Sequence, residues 1–445
     1  MTNKQLYVSD DIYWKRKFIL DWKTDKDLEL REKDMTWYSE YRRFYSISKL
    51  KPWTTLNVHK DEVLHVAFSH CGNFFSTTSK DKHVIVWSIS KFSSKCISIF
   101  KKLKFIAWNF VQLSAFSENN DFLLVSGVYD SPNSSRGEVS IYTFPECQLL
   151  RSVLCVPFDC FGSWLNNNSF IVGHFDVLSH NVSVLLYNVH SPIYPKTLFS
   201  HPKSSQNTYP FPCRMFKMCN NLANKTQKLL FYACSETIQF GHCLAFAIIE
   251  PGIESEEVQQ FERDGLLPSQ LNITQNNDST NSYRDEIDSF TYKGSFKSLV
   301  NLKAAIIGLV VDEHLEKVFV NCRPWISEDN PEQIKNETEL RIFDFTLNLL
   351  KVIFNGYAHT PSDRFFIIHL SVSPYYVVSG DEIGNIHIYD SFYNICVCTL
   401  PGHENVVNCA AISPTNSHFM CSASDDGTVK FWEFQSVKKH ASLGL

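Results

Sequence analysis

Two stretches near opposite ends of this chain carry the same four polar landmarks at nearly the same offsets. One is HKDEVLHVAFSHCGNFFSTTSKDKHVIVW, His59 to Trp87, and the other is HENVVNCAAISPTNSHFMCSASDDGTVKFW, His403 to Trp432. The histidine and the tryptophan stand 28 residues apart in the first and 29 in the second. Between them lie short alternating apolar runs, a middle run that ends in Ser or Thr, and then an Asp in a polar turn. An Asp so placed can accept from the imidazole, the imidazole can reach the hydroxyl, and the indole N–H can end the relay. A buried relay of this kind is favourable only when every member is satisfied. The spacing therefore predicts two structural tetrads: His59, Thr77, Asp81 and Trp87, and His403, Ser422, Asp426 and Trp432. A third stretch, His359 to Tyr389, spans 30 residues, with Ile383 at the Asp position and Tyr389 at the Trp position. Packing alone is expected to hold that unit.

Such spacing, inside a period of roughly 40–45 residues, is the signature of WD repeats. More degenerate units fill the middle of the chain: Val125 to Phe144, Ser169 to Val189, Cys213 to Cys234 with Leu244 to Glu250, and Ala304 to Trp325 through Leu340 to Phe345. Counting them gives an all-β WD-repeat β-propeller of seven blades; six or eight also fit the pattern. A ring must close. The segment 53–58 precedes the first repeat, and the last repeat ends near Phe434 with no fourth strand of its own. The expectation is that 53–58 completes the last blade and removes an exposed edge. The propeller is thus expected over 51–440, with a polar insertion at 252–298.

Residues 1–50 read as helical. Ser9, Asp10 and Asp11 supply a cap and acids for a helix start. Trp14, Phe18 and Trp22 then recur every four residues, and a second helix follows Asp34 with Trp37, Tyr41 and Phe44. These stripes are too apolar to stand free in water. They must pack on each other, on the rest of the chain or on a partner.

Composition narrows the function. The chain has 445 residues and a net charge of −5, which argues against a nucleic-acid binder or a polybasic membrane binder. It has no apolar run long enough for a membrane span. The polar N-terminus lacks a signal-peptide core, so a cytoplasmic protein with reduced thiols is expected for its 14 cysteines. No G-x-S-x-G, H-E-x-x-H or G-x-x-x-x-G-K-[ST] occurs, so no catalytic residue, metal or cofactor is expected. Asp425-Asp426-Gly427 begins like a calcium loop but lacks the remaining ligands, and reads as a blade turn. What remains is binding through the loops of a rigid scaffold. Arg323 and Trp325, in Cys322-Arg323-Pro324-Trp325, and Arg364, after Pro361, are the candidate client contacts.

Several stretches resemble the F-box/WD-repeat family: MTWYSEYRRFY (Met35 to Tyr45), Val63 to Ser88, VNCRPW (Val320 to Trp325), YNICVCTLPGHENVVN (Tyr393 to Asn408) and SASDDGTVKFW (Ser422 to Trp432). The resemblance runs over nearly the whole chain and is weakest at the insertion. It implies a non-enzymatic substrate receptor of a cullin-RING ubiquitin ligase. In that family the F-box binds a Skp1-type adaptor with its cullin, and the propeller holds a client protein for ubiquitination and proteasomal degradation. Asp10 to Phe18 resembles the final Trp-containing turn of an F-box, which implies Trp14 and Phe18 on an adaptor-facing helix. The Leu-Pro segment and helices that open an F-box have no counterpart before it in this sequence. Relatives are also linked to the cullin-4 adaptor through a Trp-Asp-x-Arg blade ending. Here the corresponding ends read Trp432-Glu433-Phe434 and Tyr389-Asp390-Ser391, without the Arg. The alternative is a WD-repeat scaffold with no ligase connection.

Overall fold

The computed structural model describes residues 10–89, 97–129, 136–155, 161–176, 181–190, 195–201, 214–235, 242–251, 292–327, 330–362, 366–415 and 419–433. The strands form seven antiparallel sheets, each a blade. Their first strands are Val63–Phe68, Trp108–Phe116, Ser163–Trp164, Arg214–Asn220, Ala304–Asp312, Ser371–Val372 and Val407–Ile412, for blades 1 to 7 in chain order. In blades 1 to 6 consecutive strands pair in sequence. Blade 5 gains a fifth strand, Asn330–Ile334, folded back on its second strand, Lys317–Ser327.

Burial follows position within a blade. Second strands such as Phe122–Tyr129 and Tyr376–Gly380 are buried almost without a break, because both faces meet neighbouring blades. They are accordingly short runs of Phe, Leu, Val, Ser and Gly. Outer strands such as Leu149–Cys155 alternate with solvent.

Blade 7 is built from both ends of the described chain. Pro52–Leu56 pairs with Val429–Glu433 in the register Pro52↔Trp432 to Leu56↔Val429. The pairing ends two residues before the expected Val58. Trp53 packs edge-on against Phe431 at 5.8 Å. The seam thus covers the strand edge that an open ring would expose.

Most of the expected insertion, 252–291, lies outside the described residues, as does Phe434. Its last part is not inserted: Tyr292–Asn301 is the outer strand of blade 4 and pairs with His242–Pro251 over its length. The alternation of Tyr292, Phe296, Leu299 and Val300 with polar residues suits a half-exposed strand.

Helix α1, Asp11–Trp22, is capped by Asp10, whose carboxylate accepts from the Tyr13 N–H at 3.0 Å. Helix α2, Trp37–Ile47, opens on a capping box between Thr36 and Ser39. Of the three sites open to the aromatic stripes, the structure uses two: the stripes pack on each other, with Trp14 against Tyr41 and Trp22 against Phe44, and on the rest of the chain. Phe18, Trp37, Phe44 and Ile47 are buried in one core with Tyr376, Val378, Ile388, Tyr393 and Ile395 of blade 6. A side chain such as Phe18, fully buried, contributes about 2 kcal/mol by leaving water.

Among the described residues every cysteine is a free thiol, and only Cys71, Cys396 and Cys398 are not buried. Burial pushes the Cys219, Cys322 and Cys409 thiols up to about 12, so they pack as small apolar groups.

Candidate functional site

The two tetrads assemble as relays inside blades 1 and 7. His59 Nδ1 lies 3.0 Å from Asp81 Oδ2 and its Nε2 lies 2.8 Å from Thr77 Oγ1. The Trp87 indole donates to that hydroxyl at 3.0 Å. In blade 7 the distances are 2.8 Å from His403 Nδ1 to Asp426, 2.8 Å from Nε2 to Ser422, and 2.9 Å from Trp432 to Ser422. Burial opposes the charge on Asp81 and Asp426. The hydrogen bonds from His59 and His403, with backbone N–H groups of Lys60, His83 and Thr428, more than offset it and hold both carboxyls well below the usual range. The relays lie inside the blades and join their strands and turns.

Blade 6 departs from the expectation that packing alone holds it. Asp381, two residues before Ile383, takes the turn. It accepts from the N–H groups of Ile383 at 3.0 Å and Asn385 at 2.7 Å, and pairs with His387 Nε2 at 2.9 Å. The turn needs Gly384, whose φ is +90° and whose added Cβ would stand 2.2 Å from the His403 carbonyl oxygen. His359 plays no part in this network; its ring is half exposed and nearest Glu382. Tyr389 donates to Asn355 of blade 5, whose amide donates to Asn321 at 3.0 Å, and Asn321 donates to Ser379 at 3.1 Å. Polar contacts from the neighbouring blade replace the missing tryptophan.

Arg323 and Trp325 are not surface contacts. Both lie on the second strand of blade 5, and both are buried. Arg323 donates to the Lys335 carbonyl at 2.9 Å and to Thr360 Oγ1 at 2.5 Å, and faces Glu382 of blade 6 at 3.5 Å. Trp325 packs with Ala305 and Ile334. The strand runs longer than the sequence suggested because Asn330–Ile334 folds back over it. Arg364 lies outside the described residues.

The helical segment is locked to blade 6 by charge as well as by packing. Arg31 donates through Nη2 to both carboxylate oxygens of the buried Asp390 at 2.9 Å, and through Nη1 to the Pro374 carbonyl at 2.9 Å. Arg43 reaches Asp390 at 2.7 Å while also pairing with Glu40. The Trp22 indole donates to the Val397 carbonyl at 3.0 Å, and the Trp37 N–H donates to Asp11 at 2.7 Å, joining the helices. Asp390, one of the two blade ends considered for a cullin-4 adaptor, is therefore engaged from within the chain.

Phe18 cannot face an adaptor. It is wholly buried between Trp37, Phe44 and Tyr393. Trp14 is half-buried against Tyr38 and Tyr41, each at 4.9 Å. The outward face of α1 carries instead Ile12, 68% exposed, and Leu20, 75% exposed. With Ile19, Lys15, Arg16 and Lys26 they line a cavity of about 570 Å³. The sequence held a signal for it: Ile12, Ile19 and Leu20 form a second apolar stripe at helical spacing, beside the Trp14, Phe18 and Trp22 stripe.

Seven sheets on one ring, closed by a strand from the opposite end and pinned by His–Ser/Thr–Asp–Trp relays, make this chain a WD-repeat β-propeller. A family profile described as "WD domain, G-beta repeat" matches residues 50–88 and 394–433, the two relay-bearing regions. Along 95% of its length the chain is similar to F-box/WD repeat-containing protein 5 of Mus musculus and of Homo sapiens. It is 26% identical to each and covers 87% and 88% of those proteins. It is also 30% identical to the WD repeat-containing protein 26 homolog of Arabidopsis thaliana, over 33% of this chain and 24% of that protein. Among the described residues no helix is long and apolar enough to cross a membrane, and no group of three His, Cys, Asp or Glu is placed to hold a metal.

Proposed function

We propose that this chain is a non-catalytic substrate-recognition subunit of a cullin-RING ubiquitin ligase, working in the cytoplasm. The observation that carries the reading is the rigid attachment of α1 and α2 to blade 6 through Phe18, Phe44, Arg31 and Arg43. A ligase receptor contributes position rather than chemistry. It must hold a client lysine near the ubiquitin donor, and a fixed geometry removes the entropic cost of finding it. A helix fused to the scaffold, with its outer apolar face free, suits that task. A Skp1-type adaptor and its cullin would engage the Ile12–Leu20 side of α1, and the client would bind propeller loops. Similarity along 95% of the chain to proteins whose name joins an F-box to WD repeats supports the assignment.

The second reading, a WD-repeat scaffold without a ligase, is favoured by one observation. Asp390 turns inward to Arg31 and Arg43, which removes one blade end from any cullin-4 adaptor. A pull-down with purified Skp1-type adaptor and cullin, run beside the cullin-4 adaptor, separates the readings. The proposal expects capture of the Skp1-type complex by the wild-type chain. Ile12→Asp with Leu20→Asp should weaken capture at least about tenfold, since each buried side chain of this size is worth about 2 kcal/mol. Failure of both adaptors to bind leaves the scaffold.

A further inference from the structure

The axis of the ring encloses a cavity of about 570 Å³, lined by residues from all seven blades. At its mouth, in the turns after the first strands, stand Glu118 and Glu313. Glu313 accepts from the Asn220 N–H at 3.3 Å, and Lys228 donates to the Leu165 carbonyl at 2.6 Å. Inside, the situation differs. Lys217 sits on the first strand of blade 4, where the register slips between Arg214 and Lys217 and Met215 takes a φ of +57°. Bulges of this kind re-aim side chains. Lys217 lines the cavity and is half-buried there, and among the described residues it forms no ion pair. Burial lowers its affinity for a proton, and the nearby Cys409 thiol only partly restores it.

His65 shares the cavity. It is buried, and its Nδ1 has no hydrogen-bond partner. Its ring stands edge-on to His369 at 4.6 Å, and burial first, then His369 and Lys217, disfavours its charged form. A half-buried ammonium with no ion pair among the described residues and a buried imidazole nitrogen without a partner are both unfavourable. A single ligand would relieve both. We propose that the central channel binds a small oxyanion, a phosphate or carboxylate group, accepting from the Lys217 ammonium and the His65 imidazole.

The test uses the intact wild-type protein and mass spectrometry of lysine acylation. Inorganic phosphate and acetate serve as separate probes, with chloride at matched ionic strength as the control and the exposed Lys104 as the reference. At four times its Kd the bound anion should slow acylation of Lys217 about fivefold by mass action, while Lys104 is unaffected. Slowing by phosphate alone or by acetate alone supports the site and names the group it prefers. Equal Lys217 rates with both anions and with chloride overturn it, as does a Lys217 that no reagent reaches. Two variants sharpen the result. Phosphate should raise the Tm of wild type and of Lys217→Arg but not of Lys217→Met, and an equal rise in all three contradicts the proposal.

Discussion

Blades 6 and 7 lie side by side and are held in different ways. Blade 7 is braced from within, by a relay whose members all lie between His403 and Trp432, and it gains one strand from the opposite end of the chain. Blade 6 is braced from outside. Arg31 and Arg43 converge on Asp390, an aromatic cluster from α1 and α2 covers Tyr393, and blade 5 supplies Asn321 and Asn355 to Ser379 and Tyr389. The difference shows that a blade can shift the turn Asp of its repeat, here to Asp381, and replace the Trp with Tyr389, and stay ordered when distant segments supply further polar partners. It also couples the helices to the blade, so that whatever binds α1 is held in register with the propeller.

The largest break in this comparison comes from Asp390→Ala. It removes the buried carboxylate shared by two half-buried guanidinium groups and should cost about 3–5 kcal/mol in denaturant unfolding. A loss under about 1 kcal/mol would mean that packing alone holds the helices. His403→Ala should cost about 2 kcal/mol, by removing the imidazole that links the Asp426 carboxylate to the Ser422 hydroxyl, and His59→Ala should match it in blade 1. Equal effects in two blades far apart in sequence are expected because the two relays have the same geometry, and a marked inequality would show the ring seam adding its own contribution. Tyr389→Phe leaves Asn355 short of a donor and should cost about 1 kcal/mol. No measurable change in thermal unfolding would show that blade 5 does not brace blade 6.

The smallest effects are in pH. Asp81 and Asp426 are held below the usual carboxylate range, so their stabilisation is present above a pH of about 4 and is lost as the pH falls through their lower folded values. Replacing both with Asn should flatten the acid arm of the stability curve. Asp425 has the opposite sign. Burial pushes its carboxyl up to about 6, with Glu62 adding to the rise and Asn408 opposing it. The folded state then binds the proton more tightly than the unfolded chain, and stability falls as the pH rises toward 6. Asp425→Asn should therefore stabilise by about 1 kcal/mol at pH 8, after solvent screening, and by nothing at pH 4. A gain that is the same at both values would refute that ionisation.

How much of this was legible in the sequence follows from where each stabilising contact comes from. The relays of blades 1 and 7 could be read because all four residues fall within 29 positions and each type has one chemical role. The closing strand could be read because a ring with an unpaired edge is untenable. Blade 6 was misread because its bracing residues, Arg31 and Asp390, are 359 positions apart, and because its turn Asp lies at 381 rather than 383. Arg323 and Trp325 were misread for a local reason. A Pro beside an Arg suggests a loop, whereas here the strand runs on through Pro324, which pairs with Ala304. The adaptor-facing position of Phe18 was implied by the resemblance of Asp10 to Phe18 to an F-box end, whereas the apolar stripe itself says that Phe18 is covered and not by what.

Hydrogen–deuterium exchange on two variants tests the contrast most directly. With Asp390→Ala, exchange should speed up in residues 11–47 and 385–401 and stay near wild type in 407–433. With His403→Ala the pattern should reverse, with 407–433 and the closing strand at 52–56 loosened and α1 and α2 protected as before. If both variants loosen the same segments to the same degree, blades 6 and 7 are not held separately, and the account of one blade braced from within and one from outside is wrong.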